Sequence, residues 1–193
     1  MSRGRTERVH GAHGFSLLEV LVATTIMVVG VVALAQLAAL ATHANLHAQR
    51  TTFTAILAQQ KMEQLRGLAW SIDALGLPVS DLTTDTTVAP ETASGGTGLT
   101  PSPSGALGRN VDGYSDFVDR RGNVLGGGPT PPAGSAYRRR WSIEPLPNSA
   151  TNMLILQVLV TDLRNRGAAD TTTAVTRLPD EARIVGAKTR KAF

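Results

Sequence analysis

The chain has 193 residues, a net charge of +4 and no cysteine. That length suits one small domain plus an anchor, and without cysteine there is no disulfide framework, thiolate metal site or thiol chemistry. Arg3, Arg5 and Arg8 against Glu7 put +2 of the charge in the first fourteen residues, so the basic balance does not mark a nucleic-acid surface.

Residues 1–14, MSRGRTERVHGAHG, form a short basic leader ending in Gly14. Phe15, Ser16, Leu17, Leu18 and Glu19 follow, and Val20 to Thr42 carry no formal charge. As a helix, Val20 to Thr42 would extend about 35 Å, enough for a hydrocarbon core of roughly 30 Å. Thr24, Thr25, Gln36 and Thr42 are its polar interruptions, and a threonine hydroxyl can bond back to a carbonyl one turn earlier. Arginines precede the run and none follows until Arg50. The positive-inside rule therefore keeps the N-terminus in the cytoplasm and exports the rest. A secretory signal has a shorter apolar stretch followed by a small-residue cleavage site. Here the long apolar run comes after the leader and is expected to be retained.

The stretch from Gly14 to Ala23, GFSLLEVLVA, resembles the class III prepilin signal of type IV pilins and type II secretion pseudopilins. That resemblance implies cleavage by prepilin peptidase between Gly14 and Phe15, and N-methylation of Phe15 by the same enzyme. It gives Glu19 an assembly role, its carboxylate pairing with the N-terminal amine of a neighbouring subunit. It also implies other pilin subunits, met through the first helix, and the inner membrane as partners. Two physical points agree with it. A carboxylate near hydrocarbon is costly unless paired, and glycine at a cut site admits an extended backbone to a peptidase cleft. The plainer alternative for Glu19 is solvation among the lipid headgroups.

Helix formers persist over residues 43–70. Ala55, Ala58, Met62, Leu65 and Ala69 recur at spacings of three and four as one apolar stripe, with Gln59, Glu63 and Arg66 off it. Glu63 and Arg66 form an i,i+3 pair. One helix is expected from Phe15 to about Arg66, closed near Gly67, with Gly76-Leu77-Pro78 as a firm stop. The resemblance implies this long first helix as well, although the helix-breaking proline of many major pilins is replaced here by Gln36.

Thr83 to Gly134 hold 11 of the 19 glycines and 6 of the 10 prolines, and are expected to be mostly irregular, with order only around Asp112–Asp119. Ala136 to Leu146 and Asn152 to Leu163 predict strands, with Leu154, Leu156, Val158 and Val160 on the core face. Ala182 to Lys188 predict a third, reached across Arg164 to Asp180. Five segments result: a cleaved leader over 1–14, a transmembrane and filament-core half-helix over 15–42, an amphipathic half over 43–70, a Gly/Pro/Thr-rich variable loop over 71–135, and an antiparallel sheet over 136–193. The expected fold class is α+β and pilin-like, a long N-terminal helix packed on a small antiparallel head. Within the family the LLEVLVA start, the LAQQKMEQLR segment and the lack of a C-terminal disulfide pair resemble PilV-like minor pilins and minor pseudopilins of type II secretion.

Other constellations carry less. His43 and His47 share a helix face at a spacing that can hold a metal, but no third ligand lies nearby. Asp112, Asp116 and Asp119 lack the spacing of an EF-hand loop and read as solvated loop carboxylates. Arg138 and Arg140 are the candidate DNA contacts. Alternation puts them on one strand face and Arg139 with Tyr137 and Trp141 on the other. A solvated strand edge blunted by charge is the simpler expectation. No nucleophile elbow or phosphate cradle occurs, so no enzyme and no cofactor is expected. The function expected is that of a minor pilin or pseudopilin, processed and N-methylated by prepilin peptidase. It would be anchored in the inner membrane with its head in the periplasm and then assembled into a filament, with nucleic acid not expected as a partner. The rivals are a DNA-binding competence pilin and an unassembled single-pass periplasmic protein.

Overall fold

A computed structural model describes residues 14–165 and 181–192. Helix α1 spans Leu17–Gly67. Eight strands follow: β1 Trp70–Ile72, β2 Pro78–Ser80, β3 Ser115–Val118, β4 Val124–Gly127, β5 Tyr137–Pro145, β6 Met153–Asp162, β7 Ala182–Thr189 and β8 Lys191–Ala192. The chain forms two compact units, residues 1–46 and 47–193, which divide within α1. The α+β, pilin-like arrangement is as expected, and the helix and the three long strands lie within two residues of their sequence boundaries. The leader residues 1–13 and most of the Arg164 to Asp180 connection lie outside the described residues.

In the first unit, Ser16 caps α1. Its Oγ accepts from the Leu18 amide at 3.3 Å, and its carbonyl accepts from the Glu19 and Val20 amides, as an N-cap residue does. The threonine hydroxyls of the apolar run bond inward, Thr24 and Thr25 to the Leu21 carbonyl at 3.0 and 2.8 Å and Thr42 to that of Ala38 at 2.9 Å. The run therefore presents an apolar surface on which the threonine hydroxyls are satisfied by the helix itself.

In the second unit, the rest of α1 packs on a five-stranded sheet of order β4-β3-β5-β6-β7, antiparallel throughout. Trp141 lies opposite Val158, and Ile143 opposite Leu156. These four, with Leu154 and Val160 as expected, close a core against Leu57, Ala58, Met62 and Leu65. Phe53 meets the Tyr137 ring at 5.1 Å between centroids. The buried helix face differs from the predicted stripe: Ala55 is exposed and Ala69 lies past the helix end, while Leu57 and Lys61 are buried. Bulky side chains bury more apolar area than alanines and so set which face turns inward. The Glu63–Arg66 pair forms at 3.0 Å on the outer face.

The Gly/Pro-rich segment, Thr83 to Gly134, is mostly irregular as expected, with β3 inside the Asp112–Asp119 stretch. β2 before it and β4 within it depart from expectation, and its turns are closed by side chains. The Asp81 carboxylate accepts from the Thr83 and Thr84 amides and the Thr84 hydroxyl, which holds it below the usual carboxylate range despite the opposing effect of its partial burial. A Cβ on Gly96 would lie 2.2 Å from the Asp85 Cα, and one on Gly98 2.6 Å from the Asp81 carbonyl oxygen. These glycines serve close backbone approach, not flexibility. A second, smaller sheet, β2-β1-β8, runs antiparallel between β1 and β2 and parallel between β1 and β8.

Candidate processing and assembly site

Residues 14–16 precede the helix, so the Gly14–Phe15 peptide is free of the helical hydrogen-bond ladder. Gly14 is exposed, and a Cβ placed there meets nothing within 4 Å. The chain's own packing among the described residues does not demand glycine there. Phe15 is 82% exposed. Phe15 and Glu19 come together along one face of the helix start, bordering a shallow groove with Val20, Ala23, Thr24 and Met27.

Glu19 is exposed, and its carboxylate has no hydrogen-bond partner among the described residues. It is the only formally charged residue between Phe15 and Arg50. Its place in the first turn, three residues after the capping Ser16, also completes the S-x-x-E pattern of a capping box, a local signal that the sequence carries at Ser16–Glu19. Negative charge there complements the positive end of the helix dipole. The local role does not neutralise the carboxylate, so a cationic partner from outside the chain is still called for at a membrane boundary. By length and composition, α1 is able to cross a membrane, and the apolar part of it is unburied.

The other candidate residues are not brought together. His43 and His47 are both exposed, and among the described residues no group of three His, Asp or Glu side chains is arranged to hold a metal. Asp112 is exposed and Asp119 closes the β3–β4 turn, but Asp116 is fully buried, which corrects its expected place as a solvated loop carboxylate. Arg138, Arg139 and Arg140 are 1%, 2% and 3% exposed. They do not lie on a solvated edge, because β5 is the middle strand of the sheet. Arg140 donates to Asn110 Oδ1 at 2.9 Å and to the Leu107 carbonyl. Arg138 and Arg140 therefore do not form an exposed cationic patch for DNA.

Arg139, between them, is paired in a buried ion cluster that sequence inspection missed. Arg139 grips Asp116 through Nε at 2.7 Å and Nη2 at 2.8 Å. Lys61 Nζ reaches the same carboxylate at 2.9 Å with both side chains fully buried. The ammonium also donates to Gln64 and to the Thr86 carbonyl and sits 3.8 Å from the centre of the Trp141 ring. Burial pulls the Lys61 pKa down from 10.5 to about 8, with Arg139 acting in the same direction and Asp116 opposing. Below pH 8 both folded and unfolded chains hold the Lys61 proton, whereas between about 8 and 10.5 the unfolded chain holds more of it. Lys61 should therefore make stability rise with pH across that window. Urea denaturation at several pH values, wild type against Lys61→Met, is expected to show that rise as the difference between the two proteins. A flat difference would contradict it.

Residues 10–35 match the family model described as the prokaryotic N-terminal methylation motif. No curated protein and no solved structure matches the chain. The matched span contains Gly14, Phe15, Glu19 and the first part of the apolar helix.

Proposed function

We propose, from this prepilin-like N-terminus, that the chain is a minor pilin or pseudopilin, a structural and non-enzymatic subunit of a type IV pilus or related filament. One observation carries it: an accessible Gly14–Phe15 junction stands just before a capped apolar helical run whose single carboxylate, Glu19, has no partner among the described residues. Prepilin peptidase would cut after Gly14 and methylate Phe15. Before assembly the subunit is held in the inner membrane by α1, with its N-terminus in the cytoplasm and its sheet in the periplasm. The LLEVLVA start and the absence of cysteine support a minor over a major subunit.

Co-expression with prepilin peptidase is the direct test. Intact-mass spectrometry should show loss of residues 1–14 and gain of one methyl group on Phe15, and a retained leader would remove the basis of the proposal. Gly14→Ala should be processed about tenfold more slowly or worse, since a single methyl group in a close-fitting cleft costs about that much in specificity.

A further inference from the structure

We propose that the groove beside the β3–β4 turn is a binding site for a phosphate-class oxyanion. Arg120, Arg121 and Arg164 line a groove of about 510 Å³ together with Ser135 and Gly134. Asp119 also lines it, but its carboxylate is committed to the turn, accepting from the Arg121 and Asn123 amides at 2.7 and 2.9 Å and from the Asn123 side chain at 2.8 Å. Gly122, at φ +93°, completes that turn. Two adjacent arginines are thus carried on a closed, side-chain-braced tip. Both are exposed, and neither guanidinium makes a hydrogen bond or ion pair among the described residues.

The third arginine is fixed. Arg164 Nε and Nη2 bind Asp162 at 3.0 and 2.7 Å, and Nη2 also donates to the Tyr137 hydroxyl at 3.0 Å. Its Nη1 remains unused among the described residues. Planar guanidinium forks match the oxygens of a tetrahedral anion, giving short charge-assisted hydrogen bonds. Leu125 and Ala136 also line the groove. Among the described residues no aromatic face lines it, so none of them is placed to stack a nucleobase. The ligand is therefore a free phosphate ion or a single phosphate carried on a small molecule, not a nucleic-acid strand.

The test uses the full chain in a neutral detergent at constant ionic strength, titrated with inorganic phosphate, with glycerol phosphate and with acetate, and followed by calorimetry. Saturable binding of one phosphate per chain is expected, with acetate much weaker. Binding of inorganic phosphate alone identifies a free ion as the ligand, and binding of both probes identifies a carried phosphate group. Arg121→Gln and Arg120→Gln should each weaken binding about tenfold or more, the scale of one lost charge-assisted hydrogen bond. Both sit on an exposed turn, so folding is not at stake. Arg109→Gln removes the same charge from an exposed position outside the groove and should change nothing. Equal weakening by Arg109→Gln, equal binding of acetate, or no saturation would each overturn the proposal.

Discussion

Glu19→Leu is expected to be inserted and cut after Gly14 as the wild type is, yet to be nearly absent from sheared filaments or pseudopilus preparations. An unpaired carboxylate in lipid costs on the order of 3 kcal/mol by insertion scales. A protein that needed only an anchor would partition better with leucine and lose nothing. A filament subunit would lose the pairing between Glu19 and the Phe15 amine of its neighbour. The capping-box position of Glu19 calls for a second variant. Glu19→Gln keeps a side chain able to cap at that place but removes the charge. Failure of Glu19→Gln alongside Glu19→Leu would assign the defect to charge, while normal assembly of Glu19→Gln would assign it to the helix cap. Glu19→Asp should fall between, its charge kept and its reach shortened. Normal incorporation of Glu19→Leu would defeat the assembly role and favour a plain anchor.

Asp116→Ala should be the most destabilising single change in the sheet-bearing unit, by about 3–5 kcal/mol. It would leave Lys61 and Arg139 facing each other away from solvent with their shared carboxylate gone. Lys61 could relieve the repulsion by giving up its proton, which limits the cost, but Arg139 cannot. By contrast Glu63→Ala, which removes an exposed ion pair of the same helix, should cost about half a kcal/mol or less. Chemical denaturation of the full chain in neutral detergent measures both. A loss below about 1 kcal/mol for Asp116→Ala would show that the cluster does not hold helix to sheet.

Much of the fold could be read from the residues because its signals are local. Charge stops at Glu19 and resumes at Arg50, which marks the apolar run, and Leu154 to Val160 alternate with a period of two, which marks β6. Gly14, Phe15 and Glu19 lie close together in sequence, and their spacing survives folding unchanged. The ion cluster could not be read in this way. Lys61, Asp116 and Arg139 come from three distant places in the chain, and each alone looks like a solvated charge. The arginine run of β5 accordingly suggested an edge, when β5 is the middle strand and Asp116 on β3 pairs with Arg139. β4 was obscured, and β3 legible only as a stretch of possible order, for another reason. They are four residues each, too short for a period to show, and the glycines around them suggest loose chain when several serve close backbone contact.

The ion cluster also has a mechanical consequence. Burial of apolar surface is non-directional, so a helix held on a sheet by leucines alone can slip a little under load and lose little. The Lys61–Asp116–Arg139 contacts are short, directional and sealed from water. Shear of this part of α1 along β3 and β5 must draw opposite charges apart in surroundings that screen them far less than bulk water does. Such a joint is stiff under small loads and fails over a short travel, brittle where an all-apolar joint would creep.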